Sequence, residues 1–368
     1  MNYSLIQQAI ENIFIINLAV KHNENTLVLT DTYNKKTENI AKRIAETGKK
    51  FSDAIHYMVI PPSGCHGTEP PEQVWKEAFG RNCVDHLKQQ KLLQSICAKK
   101  AEPRQLREAE KIIYGYKDEA ARAVIALTYF STSHTRFRDL LNNVCGTRYA
   151  SMPLFDEEML TGAMRVDWKK MSQRIRQIAQ AVDKCENIEI ATSNGTSISF
   201  SRKGRPVMED NGLITEPGSF SNLPAGEVYL APREGTAEGR LVLDWSPTRK
   251  LKHPITLTVE KGLVRNIQGK EKYADFLKQK LSEKEENSNI AELGIGTNDM
   301  ASRPDNILES EKILGTVHIA LGDNSSFGGT VSTQFHQDFV FFKPEVTLIY
   351  PDGYRKLLMK NGKMLTGL

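Results

Sequence analysis

The hydrophobic period of this chain changes once, near Asn187, and that change limits the folds open to it. Upstream of it, apolar runs alternate with amphipathic helical patterns. Leu5, Ile6, Ala9, Ile10, Ile13, Ile16 and Val20 keep helical spacing, with Ser4 in a capping position. A strand over 26–30, a helix over about 37–49 and a strand over 55–60 follow, then a Pro/Gly/Ser-rich loop over 61–71. This β-α-β rhythm predicts a parallel sheet covered by helices. Further helices are expected around 72–79, 104–114, 156–163 and 168–182, with a buried strand over 123–130. Downstream of Asn187 short strands dominate, at 188–192, 197–201, 227–231, 240–243, 255–259, 263–267, 315–321 and 346–350. Asn194-Gly195, Lys261-Gly262, Asp352-Gly353 and Asn361-Gly362 mark turns. One helix, about 271–281, interrupts, and the charged run 283–286 reads as a solvated loop. The expectation is an α/β chain in two parts: an N-terminal α/β domain with a parallel sheet over 1–186, and a mostly β metal-binding domain over 187–368.

Composition excludes several function classes. The net charge of +4, from 49 Lys+Arg against 45 Asp+Glu, points to no nucleic-acid partner. The richest basic stretch, Lys88 to Lys111, is interleaved with Glu102, Glu108 and Glu110 and reads as a solvated helical face. The first strand is not followed by G-x-G-x-x-G, so dinucleotide binding has no support. The five cysteines, Cys65, Cys83, Cys97, Cys145 and Cys185, form no CxxC and are odd in number, which suits a reducing cytoplasm. Polar residues break the N-terminal apolar run, so neither a signal peptide nor a membrane span is expected.

The chemistry concentrates late in the chain. His318 ends an apolar β-like run, and His336 stands two residues before Asp338. In a strand, residues i and i+2 share a face, so the HxD pair can reach one ion side by side. Imidazole plus carboxylate suits Zn²⁺, Co²⁺ or non-haem Fe²⁺. Glu227 in NLPAGEVYLAP and Glu292 in AELGIGTN each place a carboxylate where apolar residues meet glycine, an awkward position for an unpaired charge. Glu227, Glu292, His318, His336 and Asp338 are therefore the candidate metal ligands. Their three negative charges favour two divalent ions with a bridging hydroxide, provided all five converge. Plainer readings stay open: a hairpin carboxylate for Glu227, a turn cap for Glu292, a core histidine for His318, and a surface strand pair for His336 and Asp338. Glu309, Glu311 and Lys312 read as a solvated run. The functional alternative is that Glu311 orients a ligand or Lys312 steadies an oxyanion. His134, after a buried strand, reads as structural, although ligands tend to sit at the mouth of such a sheet.

NLPAGEVYLAP, ELGIGTN, ESEKILGTVHIALG and HQD resemble, in order and approximate spacing, the signature segments of the thermophilic aminopeptidase family. The similarity is specific from about residue 205 to 340, and a weaker likeness extends upstream. It implies a cytoplasmic, homodimeric metallo-aminopeptidase acting on peptides with a free N-terminus through two divalent ions (Zn, Co or Mn). Glu227, Glu292, His318, His336 and Asp338 would hold the ions, and Glu292 or Glu311 would shuttle the proton. One departure stands out. Longer members carry a catalytic tyrosine shortly after the histidine matching His318, and Gly322-Asp323-Asn324-Ser325-Ser326-Phe327 has none. The interval from His318 to His336 is also shorter than in those members. Two other readings compete. Ring-cleaving 2,5-dihydroxypyridine dioxygenases look related to the same scaffold, and His318, His336 and Asp338 could form their two-histidine, one-carboxylate Fe²⁺ set, although a single ferrous site needs neither Glu227 nor Glu292. A non-catalytic binding protein on the same fold is the third.

Overall fold

Apolar runs too short for a helix and buried on both faces build the first sheet. In the computed structural model, which describes residues 2–365, Thr26–Asp31 and Ala123–Leu127 are buried along their whole length. That pattern belongs to central parallel strands covered on both sides. The sheet has five strands in the order Ile55–Ile60, Thr26–Asp31, Ala123–Leu127, Arg148–Ser151, Phe220–Asn222, and every pairing is parallel. The Lys35–Gly48 helix covers it, and the Asn34 side chain caps that helix by accepting from the Lys36 N–H. Trp75, Phe79, Phe137 and Tyr149 meet in stacked and edge-to-face contacts within the same core. The first helix starts at Asn2, so Ser4 lies inside it rather than capping it.

The chain divides into two compact units, residues 1–165 with 212–224, and residues 166–211 with 225–368. Asn187 marks where strands take over, but the second unit already includes the Trp168–Asp183 helix. That helix buries Met171, Ile175, Ile178 and Val182 and packs on the Met208–Asp210 and Glu227–Leu230 strands. Met1 and 366–368, the outer ends of the expected domains, lie outside the described residues.

The second unit carries two antiparallel sheets. One has eight strands, running from Leu263–Gln268 through Lys250–Glu260 and Glu238–Trp245 to the Lys363–Met364 edge. The other has five, in the order His336–Phe342, Thr316–Gly322, Ile290–Gly296, Glu227–Leu230, Met208–Asp210. Its central strand, Ile290–Gly296, was not expected, because Gly294 and Gly296 interrupt its apolar pattern and weaken strand propensity. Among the described residues no helix is long and apolar enough to cross a membrane.

Asn298 ties the segment after the central strand to the loop that precedes Thr316–Gly322. Its side chain donates to the Ala225 carbonyl and accepts from the Met300 and Ala301 N–H groups. Its backbone N–H donates to the Lys312 carbonyl, and its carbonyl accepts from the Leu314 N–H. Asn298 is fully buried, so Asn298→Ala leaves several polar groups without partners. The expected loss is about 2–4 kcal/mol of stability, read as a lower urea midpoint with unchanged slope.

Candidate metal centre

Strand register alone brings the polar residues together. In an antiparallel pair, directly opposed residues point to the same face. Gly294 opposes both His318 and Tyr229, Glu292 opposes Ala320, and Gly296 opposes Glu227. Ala320 in turn opposes Asp338, Gly322 opposes His336, and Asp210 opposes Glu227. Asp210, Glu227, Tyr229, Glu292, His318, His336 and Asp338 therefore share one face of the sheet. The positions between them are small. A Cβ on Gly294 would lie 1.9 Å from the His318 ring, so the glycine is there because the imidazole lies across it.

All five proposed ligands converge. His318 Nε2 lies 3.2 Å from Glu292 Oε1, 3.4 Å from Glu227 Oε2 and 4.0 Å from Asp338 Oδ1. His336 Nε2 lies 3.5 Å from both Glu292 Oε2 and Asp338 Oδ1. Two donors on one ion, each at a bond length of about 2.1 Å, lie no more than about 4.2 Å apart. Each of these separations meets that limit, but the donors divide among overlapping sets rather than meeting at one point. Three overlapping groups can hold a metal: Glu227 with Glu292 and His318; Glu292 with His336 and Asp338; Glu311 with His318 and Asp338.

The supporting contacts also fit a metal. His336 Nδ1 lies 2.8 Å from the Asp323 carbonyl oxygen, which can only accept. Nδ1 therefore carries a hydrogen and Nε2 faces the cluster, the arrangement that orients metal-ligating imidazoles. Glu227 Oε2 is buried and makes no hydrogen bond. The donor set of imidazoles and carboxylates suits Fe²⁺ as well as Zn²⁺.

Without a metal, the cluster's electrostatics are extreme. Burial lowers His318, but the Glu292 hydrogen bond and the Glu227, Glu292 and Asp338 charges outweigh it and raise it to about 9. Burial likewise opposes His336, and Asp338 and Glu292 raise it to about 10. Burial raises Glu292, only partly offset by its hydrogen bond to His318. Burial would raise Asp338 too, yet the two histidines hold it well below the usual carboxylate range. Glu311 is pushed up to about 8 by burial, against the pull of Lys312.

The expected solvated run is corrected here. Glu309 and Lys312 are fully buried and Glu311 nearly so, because the turn that carries them folds under the sheet face. Lys312 Nζ meets Glu227 Oε1 at 2.5 Å and Glu311 Oε1 at 2.9 Å. His134 lies exposed in the first unit, outside this group. Reading the sequence missed three participants. Tyr229 could have been found, since it stands two residues after Glu227 in the same strand. Asp210 needs strand pairing to be seen. Phe327 reaches the site through the 322–336 loop, setting its ring edge-on to both Tyr229 and His336. Asn324 and Glu234 brace that loop.

The profile of the family described as NicX, 2,5-dihydroxypyridine 5,6-dioxygenase, matches residues 146–364, more than half of the 368-residue chain. The chain belongs to that dioxygenase family. A curated relative, the 2,5-dihydroxypyridine 5,6-dioxygenase of Pseudomonas putida, is 25% identical over 182 residues, covering 45% of this chain and 52% of the relative. The match thus spans about half the relative's length. The solved structure of the dioxygenase from Pseudomonas putida KT2440 superposes with a TM-score of 0.71 at 19% identity, covering 100% of this chain and 98% of that one. Wild-type AmpT from Thermus thermophilus superposes at 0.62 with 14% identity, covering 100% of both chains. The assignment to the aminopeptidase family, and with it the hydrolase reading, is thereby overturned. The segments that suggested it belong to a scaffold both proteins share, and likeness at that identity shows the fold alone.

Two outcomes are expected of this dioxygenase-family site. Gly294→Ala should displace the His318 ring and weaken divalent-ion affinity roughly 10–100-fold while the fold persists, as equilibrium dialysis and circular dichroism would show. Metal uptake at neutral pH needs neutral imidazoles, and both histidines are protonated below about 9 in the metal-free protein. Uptake should therefore release protons, and affinity should fall up to about 100-fold from pH 7.5 to 6.5. Calorimetry in buffers of different ionisation enthalpy measures the released protons directly.

Proposed function

We propose that this chain is a ferrous ring-cleaving dioxygenase acting on 2,5-dihydroxypyridine or a closely related dihydroxylated heteroaromatic ring. The observation that carries the reading is the family match over residues 146–364, which spans every strand that contributes a site residue. The geometry supports it. His318 and His336, on adjacent strands, each lie near Asp338, so a modest closure about an ion would complete a two-histidine, one-carboxylate set. When bound, Fe²⁺ would supply the one-electron chemistry that lets O₂ react with a closed-shell aromatic ring.

The remaining residues act on the substrate. Phe327 and Tyr229 form an aromatic wall beside His336, suited to the face and edge of a planar ring. Burial raises Tyr229, and the Asp210, Glu292 and Glu227 charges add to that, so its hydroxyl stays protonated as a donor. Glu292, raised by burial, is suited to take the proton from a ring hydroxyl as the substrate binds. A cytoplasmic location belongs to the same proposal, supported by five cysteines that are all free.

Anaerobic purification followed by metal analysis and an oxygen electrode tests the reading. One iron per chain and oxygen uptake with 2,5-dihydroxypyridine are expected, together with loss of the ring absorbance. Iron-loaded protein that consumes no oxygen with that ring or its close analogues would overturn it. Glu292→Gln should lose at least about 100-fold in kcat. His336→Ala should lose the iron itself.

A further inference from the structure

We propose that Lys312 is a built-in cation that takes the place of a second metal ion and so holds the site's capacity at one divalent ion. The inference rests on the one-ion reading above and concerns what enforces it. Lys312 is fully buried, an unusual place for a lysine. Its Nζ lies 2.5 Å from Glu227 Oε1, 2.9 Å from Glu311 Oε1 and 3.7 Å from Asp210 Oδ2. These carboxylates come from three separate pieces of chain: the Met208–Asp210 strand, the Glu227–Leu230 strand and the turn after Ile307–Ser310. Three buried carboxylates turned toward one point call for a cation between them. Here the occupant is an ammonium group tethered by its own side chain.

Glu227 joins the two compartments. Its Oε1 faces Lys312, and its Oε2 lies 3.4 Å from His318 Nε2. The carboxylate thus lies between the ammonium and the histidine-lined position, as a bridging carboxylate lies between two ions. A role for Lys312 in steadying a substrate oxyanion does not fit, because its nitrogen is sealed from solvent and already engaged by carboxylates. A tethered ammonium has no coordination position to offer a water, so it cannot take the part of the second ion in two-ion water activation.

The test is Co²⁺ titration of the full chain by calorimetry, with metal analysis after gel filtration. It compares wild type, Lys312→Met and Lys312→Met with Glu311→Gln. Wild type should take one ion per chain. Lys312→Met keeps an unbranched side chain, one heavy atom shorter, vacates the ammonium position and deletes the charge, and should take two. The double variant, with one carboxylate neutralised, should bind the second ion at least tenfold more weakly than Lys312→Met does. One ion in both wild type and Lys312→Met at saturating Co²⁺ would overturn the assignment to Lys312. Two ions in wild type would instead sink the one-ion reading itself. If Lys312→Met is recovered unfolded, Co²⁺ in the refolding buffer should restore the fold, and KCl of equal ionic strength should not. Failure of Co²⁺ to restore it counts against the proposal.

Discussion

Five carboxylates, Asp210, Glu227, Glu292, Glu311 and Asp338, lie on or under one face of an antiparallel sheet, and the cations beside them make that burial tolerable. An isolated buried charge is too costly to persist, and removing one partner of a buried pair costs about 3–5 kcal/mol. Lys312 answers the carboxylates at one end. His318 and His336 answer them at the other, where the neighbouring carboxylates favour their charged form. Metal affinity, protonation and local stability are therefore one coupled equilibrium in this face.

The sheet meets this constraint through register and residue size. Each functional side chain is opposed by a small residue or by another member of the cluster. Gly294 lies under the His318 ring, and Ala320 lies between Glu292 and Asp338. A slip of one residue in any of these strands would turn its polar groups to the opposite face. Asn298 holds the Lys312 turn against the sheet, so the counter-charge arrives with the same fold that creates the need for it.

A shared scaffold does not carry a shared reaction. The dioxygenase and the aminopeptidase structures both superpose on this chain, and the ligand types alone do not separate water activation from oxygen activation. The motif segments that suggested a peptidase describe how strands hold carboxylates and histidines around an ion. The charge count that favoured two ions left out Lys312, whose buried ammonium alters the balance. The absence of a tyrosine after His318 was the visible departure, and Tyr229 stands on a different strand of the same face.

The local pattern of the chain was enough to determine the α/β first part, the β-rich second part and the identity of the five converging residues. Period-two alternation, turn glycines and the HxD spacing are properties of neighbouring residues, and they survive without knowing what each strand pairs with. The Ile290–Gly296 strand was hidden because its glycines serve the packing of His318 and the Ile313 carbonyl rather than strand propensity. The membership of Asp210, the burial of Glu311 and Lys312, and the approach of Phe327 were decided only by tertiary structure. Each depends on which segments the sheet register and the Asn298 contacts bring together, and a charged run looks solvated until a fold supplies it with buried partners.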